Sequence, residues 1–482
     1  MIRRIRTAAR LAALVAALVS PVRAAAQIDS ALLSKLSFNL TNPGGKSLAM
    51  GGAFTAIADD ATAALANPAG LGQLSSIEMG MSVKRIDETI GLVTARSTAI
   101  GSLTAPWGPV TSSDSQIGLQ NTNIEYAGVV LPVSRYVVIA LSYAENLSFE
   151  GSADPGGYQY LEFRDNRSGG LTRRDYLYEY REFGAVDLRN RLVGLSAAYR
   201  ITDRIRIGAG LTLNQTVFEM EGDDAGPHRI VSRTFVSAVA TETRTVTMNV
   251  EGFGGTKPAF IAGVHADLDE RGTVSVGASY SSAARTEGTL VIGGDVPASL
   301  QGKERRPFSF AVPSRFAAGV AVRPFPGMTI AAEAQWVGYS GIWDVPLPVV
   351  SYSGLVGPSP GVYIDSALAT VNPPGSAWVP RLGVEYIAAS GSTRVAFRLG
   401  WHREPARGTT EQLTVSDSSG TPYPMNDPPF SGGVQTVFNG GTAENRYSGG
   451  IGVTLGRAFS IDAAFDVGLS AQRFSASLFW RF

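Results

Sequence analysis

The stretch Phe474-Ser-Ala-Ser-Leu-Phe-Trp-Arg-Phe482 places apolar and mostly polar side chains at alternate positions. One face carries Phe474, Ala476, Leu478, Trp480 and Phe482. A period of two is typical of a β-strand with one face in an apolar medium. An aromatic residue at the last position is typical of the closing strand of an outer-membrane barrel. The stretch therefore predicts an all-β protein, a transmembrane antiparallel β-barrel.

The first residues predict export from the cytoplasm. Four arginines lie within residues 1–10, an apolar run follows from Leu11 to Val19, and Ala24-Ala25-Ala26 offers a small-residue cleavage site. This order is typical of a secretory signal peptide, here residues 1–26. A membrane anchor is the alternative, but the apolar run is far shorter than the roughly 20 residues that a spanning helix needs.

The composition argues against several classes of function. The chain has 482 residues, and its 41 basic residues balance its 41 acidic ones, so no nucleic-acid partner is expected. It has no cysteine, which removes thiolate metal sites and cysteine nucleophiles. Its three histidines are isolated in sequence, and Ser196, Ser279 and Ser470 follow the first glycine of a Gly-x-Ser-x-Gly motif but lack the last one. We therefore predict no enzyme, no cofactor and no metal, with an outer-membrane lipid-modifying enzyme as a remote alternative.

The terminal alternation recurs along the chain, for example in Ile205–Leu213 and Val395–Trp401. Bacterial barrels join their strands by short periplasmic turns and long outer loops. Six short turns and two periplasmic termini predict fourteen strands in residues 75–482, or twelve or sixteen if a loop hides a hairpin. The predicted turns are 131–136, 201–204, 267–272, 324–327, 389–392 and 456–457. The predicted long connections are near 84–123, 146–188, 217–257, 283–313, 339–377 and 403–445, with a small outer loop near 468–471.

The same alternation places charged side chains on the inner side of the barrel. A lumenal arginine could hold a fatty-acid carboxylate, but cross-strand ion pairs are the more ordinary interpretation. The candidates are Arg323, Glu333, Arg381, Glu385, Arg398 and His402, together with Asp462, Asp466 and Arg481. In the outer loops, the stretch Tyr158–Phe183 mixes aromatic side chains with arginines. It could capture an amphipathic ligand or contact lipopolysaccharide phosphates.

Residues 27–74 do not follow a strand pattern. Small residues predominate, Asp59 or Asp60 can cap a short helix over Ala61–Ala66, and Asn67-Pro68 then ends it. A segment of this length is too apolar to extend freely into the periplasm. We therefore predict that residues 27–74 fold into the lumen of the barrel, and we call them the plug.

Two motifs in the plug carry a family resemblance. Ala58-Asp59-Asp60-Ala61, followed by Asn67-Pro68-Ala69-Gly70-Leu71, resembles the N-terminal hatch of the outer-membrane long-chain fatty acid transporter family, the FadL and toluene-transporter group. The stretches Pro313–Gly319, Trp336–Ser340, Pro380–Tyr386 and Phe397–Trp401 are similar to strands of that family. Related hatch sequences also occur in barrels that serve secretion or gliding.

The resemblance implies a monomeric, plugged, fourteen-stranded barrel in the outer membrane of a Gram-negative-type bacterium. Its partners would be membrane lipid, lipopolysaccharide and the barrel-assembly machinery. Hydrophobic small molecules, fatty acids or aromatic hydrocarbons, would pass by diffusion when the hatch shifts, and a kinked strand can give a lateral exit. The implied gating residues are Asp59, Asp60, Asn67, Pro68 and Ala69. A scaffold barrel that docks a secreted or surface protein is the alternative.

Overall fold

The computed structural model describes most of the chain from residue 41 onward. The described residues are 41–93, 114–153, 157–165, 172–180, 182–224, 226–232, 239–244, 246–251, 254–294, 305–342, 347–352, 355–356, 363–364, 366–371, 375–405, 411–416, 422–423, 443–456, 458–469 and 471–482.

Within these residues, seventeen strand segments form one antiparallel sheet that closes on itself. Three strands are interrupted and comprise two segments each, so the barrel has fourteen strands, which confirms the prediction. They are β1 (Glu78–Val93), β2 (Asp114–Pro132), β3 (Val137–Ala153), β4 (Glu182–Arg200), β5 (Ile205–Asp224), β6 (Val246–Glu251 and Thr256–Asp267), β7 (Val274–Ser281 and Ala284–Gly294), β8 (Arg305–Val312 and Arg315–Val322), β9 (Met328–Val337), β10 (Ala377–Ser390), β11 (Thr393–Glu404), β12 (Glu444–Leu455), β13 (Phe459–Val467) and β14 (Ala471–Arg481).

The terminal stretch is the strand that closes the barrel. β14 pairs with β13 on one side and with β1 on the other, from Glu78 opposite Arg481 to Glu88 opposite Ala471. Ser477 points inward and is buried, whereas Leu478 points outward. The same alternation in every strand covers the outer wall with exposed apolar side chains, of which Leu399 is 69% exposed. Such a belt is stable in lipid and would aggregate in water.

The six predicted turns are confirmed, and the predicted long connections near 339–377 and 403–445 begin within two residues of the strand ends. Those near 84–123, 146–188, 217–257 and 283–313 begin too early. Residues 283–313 are mostly strand, because the outer segments of β7 and β8 pair from Ala284 opposite Val312 to Val291 opposite Arg305. Pairing satisfies the backbone N–H and C=O groups of these residues, so the strands continue where the outward apolar alternation has stopped. Further strands form separate small sheets beyond the barrel. They are Gly157–Asp165, Thr172–Tyr180, Gly226–Ser232 and Val239–Arg244 in one sheet, Leu347–Tyr352, Ser366–Val371, Glu411–Ser416 and Pro422–Tyr423 in a second, and Leu355–Val356 with Tyr363–Ile364 in a third.

The side chains of the aromatic and arginine stretch, Tyr158–Phe183, lie outside the described residues, and its capture of a ligand stays a prediction.

One strand boundary of the barrel is only partly paired. β2 and β3 pair over Tyr126–Pro132 with Val138–Ala144. Toward the outer side β2 continues to pair with β1 and β3 with β4, and among the described residues no further β2–β3 pairs form. The register of β3 shifts where this separation begins, between Glu145 and Leu147. We call this boundary the β2–β3 seam.

The described part of the plug, residues 41–74, crosses the lumen from one wall to the other. It contains α1 (Gly45–Ala49), α2 (Ala63–Ala66) and a 3-10 helix (Pro68–Gln73). α1 packs against β11, β12, β13 and β14, whereas the 3-10 helix packs on the other side against β3, β4, β5 and β6. A second 3-10 helix, Tyr339–Gly341, follows β9. In the described ranges, no helix has the length and apolar character to cross a membrane.

The predicted plug helix is real but shorter than expected. It starts at Ala63 with Thr62 as its N-cap residue, so the prediction that Asp59 or Asp60 caps it is wrong. The Asp60 carboxylate accepts from the Thr62 backbone N–H instead, which makes a turn before the helix. Asn67 is the C-cap residue, so the helix ends at Asn67-Pro68 as predicted. Pro68 also begins the 3-10 helix, which was not predicted.

Candidate functional site: the seat of the plug

Inward-facing glycines of the wall lie where the plug passes closest. At six of these positions the plug occupies the space that a Cβ would take, and at the seventh, Gly319, a Cβ would be in ordinary contact with the plug. They are Gly208 against Pro68 and Ala69, Gly263 against Asn67, Gly277 against Thr55 and Ala56, Gly319 near Ala56, Gly383 against Met50, Gly400 against Met50 and Gly51, and Gly450 against Ala49. We call these seven residues the glycine seat.

The glycine seat is organised by strand register. Gly208 lies opposite Gly263, Gly277 opposite Gly319, and Gly383 opposite Gly400. Each pair gives a strip of wall with no side chains on two neighbouring strands, so that backbone can lie against backbone. Since the pairs are on different sides of the barrel, the plug is held around its circumference.

Wall side chains satisfy the backbone carbonyls of the plug. Ser448 Oγ donates to Ala49 O at 3.2 Å, and Ser196 Oγ donates to Ala64 O at 3.0 Å. The Tyr126 hydroxyl donates to Ala61 O, and His265 Nε2 lies 3.0 Å from Ala56 O. Buried backbone groups outside regular structure need such partners. The plug therefore has specific bonds to the wall in addition to apolar contacts.

Wall carboxylates accept from the backbone N–H groups of the plug. Glu333 Oε2, on β9, accepts from Phe54 N at 3.0 Å and Thr55 N at 2.8 Å. Glu125 is an extra residue in β2 where the β1–β2 register shifts, and its carboxylate accepts from Gly44 N at 3.2 Å. Glu333 was a predicted lumen-facing residue, and the structure places it at the plug. Glu125 was missed, because a bulge interrupts the alternation on which the prediction relied.

Three of the predicted gating residues lie together on the seat. Asn67 Nδ2 donates to Thr55 O at 2.9 Å and to Val264 O of β6 at 3.0 Å, and Asn67 Oδ1 accepts from Ala69 N at 3.2 Å. Pro68 and Ala69 start the 3-10 helix against Gly208. These residues anchor the plug to β5 and β6. Their part in a movement of the plug stays a prediction.

Asp59, the fourth predicted gating residue, forms an ion pair with Lys46, which in turn lies near the wall residue Glu385. Lys46 of α1 lies 2.8 Å from the Asp59 carboxylate and 3.7 Å from the Glu385 carboxylate of β10. Burial alone would raise the pKa of Asp59, but the Lys46 ammonium lowers that pKa below its ordinary value. Lys46 is thus a charged link between α1, Asp59 and the barrel.

Asp60, the fifth, is buried among other acidic groups. Its side chain accepts from Thr62, and Glu78 at the start of β1 accepts from the neighbouring Ala61 N at 2.6 Å while it pairs with Arg481 of β14. Burial raises the pKa of Asp60 to about 7, and the negative charges of Asp59 and Glu78 act in the same direction.

The raised pKa predicts that the plug near Asp60 opens more easily at higher pH. The folded state binds a proton that the unfolded state, with a pKa near 3.8, releases, so this contribution to stability is complete below about pH 4 and is lost as the pH rises to about 7. Its slope is at most about 1.4 kcal/mol per pH unit. Hydrogen exchange of the amides of residues 61–67, corrected for intrinsic rates, measures the effect. Asp60→Asn should remove it, and an unchanged pH dependence in this variant would contradict the assignment.

The remaining predicted lumen-facing residues lie in the wall with protein partners. Arg398 of β11 binds Glu385 of β10 at 2.7 Å and Asp462 of β13 at 2.5 Å. Arg381 donates to Gly52 O of the plug and to Gln335. The other two lie nearer the ends of the lumen: Arg323 Nη1 donates to Gly272 O at 2.9 Å and Ser275 Oγ at 2.7 Å, and His402 Nδ1 lies 3.6 Å from Asp466. These contacts are those of cross-strand pairs, and the binding of a ligand carboxylate stays a prediction.

A second charge cluster, which the prediction mostly missed, lies in β11–β14 around Asp466. Arg446 binds the Asp466 carboxylate at 2.6 Å and Glu444 at 2.6 Å, and Arg473 binds Glu404 at 3.0 Å. Arg446 and Asp466 are fully buried. The inward alternation of β12 would have identified Arg446 in the sequence. Within the described residues, no group of three or more His, Asp or Glu side chains could hold a metal ion.

We expect Asp466→Ala to destabilise the barrel by about 3 kcal/mol, the low end for a broken buried ion pair, because Arg446 and Arg473 lose a shared carboxylate but keep Glu404. Equilibrium unfolding in urea, with the protein in lipid vesicles, measures the change. The neighbouring outward residue supplies the control, since Val467→Ala removes a lipid-facing group and leaves the cluster intact. Equal losses in the two variants would show that the cluster does not stabilise the barrel.

No protein-family model and no curated protein sequence matches the chain, so its known likeness is structural. A FadL homologue of Pseudomonas aeruginosa is 14% identical, with 93% of this chain and 99% of that protein covered and a TM-score of 0.59. The toluene transporter TbuX of Ralstonia pickettii is 15% identical, with 92% and 100% covered and a TM-score of 0.52. A mutant of the monoaromatic hydrocarbon channel TodX is 13% identical, with 92% and 99% covered and a TM-score of 0.54. At these identities the likeness establishes the fold, and it confirms the resemblance at that level.

Proposed function

We propose that the chain is an outer-membrane channel for the diffusion-driven uptake of hydrophobic compounds. The observation that carries this proposal is the plug, whose described residues cross the lumen and are bonded to the wall on opposite sides. A porin passes polar solutes through a water-filled lumen. A lumen crossed by small and apolar residues suits lipophilic solutes better. The channels and transporters of the same fold support the choice, since two of them are named for toluene or monoaromatic hydrocarbons.

The proposed path has two steps, a movement of the plug and a lateral exit through the β2–β3 seam. The base of the seam is bridged by a weak hydrogen bond, from Asn123 Nδ2 to Glu145 Oε1 at 3.4 Å, and Arg191 Nε lies 3.3 Å from the same carboxylate. A hydrophobic molecule that leaves there enters the membrane without crossing water. Within this proposal, residues 1–26 are a signal peptide, residues 27–74 the plug and residues 75–482 the barrel of a monomer.

Long-chain fatty acids are the substrates that we propose first, with aromatic hydrocarbons second. The support for fatty acids is the resemblance of the plug motifs, and the support for hydrocarbons is the naming of the similar structures. Both ligands share an apolar body that lipopolysaccharide resists. Only the fatty acid has a carboxylate, and a cationic side chain in the lumen or the outer loops would have to bind it.

Deletion of the protein from its bacterium tests the proposal. We expect slower growth on limiting oleate, on toluene or on both, and unchanged growth on acetate, which is small and polar enough for ordinary porins. Comparing the oleate and toluene arms identifies the ligand class. Undiminished use of every hydrophobic carbon source, together with loss of a surface or secreted protein, would overturn the proposal and favour a scaffold barrel.

A further inference from the structure

The membrane-facing wall of β10–β14 contains an apolar groove of about 690 Å³. The surrounding side chains all point outward and are large: Tyr386, Phe397, Leu399, Ile451, Phe465 and Phe474. Gly449 and Ala463, also outward-facing, form its floor. The groove is thus a recess in the apolar belt, on the outside of the barrel and separate from the lumen.

Strand register explains why the recess forms here. Leu399, Gly449 and Phe465 lie side by side on β11, β12 and β13, so a glycine stands between two large side chains. In the neighbouring row of outward-facing residues, Ala463 of β13 lies opposite Ile451 of β12. Two small residues on adjacent strands therefore leave a recess, and the Phe465 ring covers the part of it that lies over Gly449.

The depth of the groove determines which part of the membrane meets it. Gly449 is six residues from Leu455, the periplasmic end of β12. With a rise of about 3.3 Å per residue and a tilt of about 40°, this places it roughly 15 Å above that end, near the middle of a hydrocarbon band about 25 Å tall. Only hydrocarbon is present at that depth, because lipid headgroups lie at the two surfaces.

We propose that this groove binds an acyl chain of a membrane lipid. The belt around it is in contact with lipid, the lining is apolar, and its volume falls in the range of about 300–1,000 Å³ that is usual for small-molecule sites. A flexible chain can fill a recess between Leu399 and Phe465. The wall of a second copy would be convex, would rest on these side chains and would leave the floor empty.

The inner side of the same wall supports the plug. Gly450, next to Gly449 on β12, belongs to the glycine seat, and a Cβ on it would lie 2.7 Å from the Ala49 side chain. On the outer face the Phe465 ring lies over Gly449, where a Cβ would be 2.9 Å from the ring. A bound chain would add dispersion contacts to Phe465 and Leu399 in the open part of the groove. This inference holds whatever the lumen transports.

Photolabelling of the full chain in lipid vesicles tests the site. A phospholipid with a diazirine on its acyl chain is added at increasing mole fraction, and labelled peptides are mapped by mass spectrometry. We expect labelling of residues 449–465 to saturate. Labelling around Ala209, an outward alanine of β5 at the same depth as Ala463, should rise in proportion to the added lipid. Ala463→Leu fills the floor and should reduce groove labelling to the level at Ala209, whereas Ala209→Leu should change nothing.

Two outcomes would overturn the proposal. Labelling that rises in proportion on both surfaces would mean that the groove meets only the ordinary lipid around the barrel. A covalent dimer of the Ala463→Cys variant, formed in the membrane, would mean that a second copy covers the groove. A covalent dimer would have to form through the introduced cysteine, because the natural chain has no cysteine. Ala463→Leu changes a lipid-facing position, so the variant should fold.

Discussion

A disulfide between the plug and the wall should abolish uptake, and reduction should restore it. A Cβ on Gly319 would lie 3.7 Å from the Ala56 Cβ, close to the separation of about 3.8 Å found in disulfides. Ala56→Cys with Gly319→Cys therefore links the middle of the plug to β8 with little change of backbone. If transport needs the plug to leave the glycine seat, the oxidised protein should take up none of the hydrophobic growth substrate.

Each single-cysteine variant is the control for this experiment, since it carries the same local change without the crosslink. Uptake is measured in the deletion strain, with the protein oxidised and then treated with a membrane-permeant reductant. Mass spectrometry establishes the fraction that is crosslinked. Full uptake by a completely crosslinked protein would show that molecules pass without displacement of this part of the plug.

Gly208→Val should open the barrel to ions. A Cβ on Gly208 would fall on the Pro68–Ala69 backbone, and backbone cannot rotate away as a side chain can. Overpacking of this kind typically destabilises a contact by about 1–3 kcal/mol, and each 1.4 kcal/mol shifts the seated population about tenfold. The clash destabilises only the state in which the plug is seated, because valine itself is favourable in a β-strand such as β5. We therefore expect a folded barrel whose plug is partly displaced.

Conductance across a planar lipid bilayer measures the opening. The wild-type protein should conduct little potassium chloride, and Gly208→Val should conduct in discrete steps. Ala209→Val is the matched control, because it adds a similar group to the next residue on the outer face of the same strand. If both variants stay closed, with equal hydrogen exchange in residues 67–73, Gly208 is not part of a seat.

The strands were predictable because membrane and lumen impose opposite demands on neighbouring residues. Phe474 and Leu478 face lipid, and Ser475 and Ser477 face the plug, so the period of two in the sequence is also the geometry of β14. This constraint ends where the membrane ends. It does not hold in residues 308–312, where successive side chains are all buried, and the sequence therefore predicted a loop over the strands of residues 284–294 and 305–312.

The plug was predictable as a segment but its contacts were not. Its small residues and the Asn67-Pro68 stop are local features, readable in one stretch of sequence. Glu125 and the glycine seat depend on which residues lie opposite each other on different strands. Gly208 and Gly263, for example, are a pair only once β5 and β6 are in register. From the sequence alone, the reason for a glycine in such a strand is not apparent. In the structure the reason is the plug, whose atoms lie where a side chain at Gly208 or Gly263 would be.

The hydrogen bonds of the plug also determine the order in which the molecule can be built. Gly45 N donates to Ser477 of β14 at 2.6 Å, and Ala61 N donates to Glu78 of β1, which pairs in turn with Arg481 of β14. The plug precedes every strand in synthesis, yet β14 is the last strand in the chain. During insertion the lumen must therefore stay unsealed until the sheet closes, and closure of the sheet and sealing of the channel are completed by the same strand.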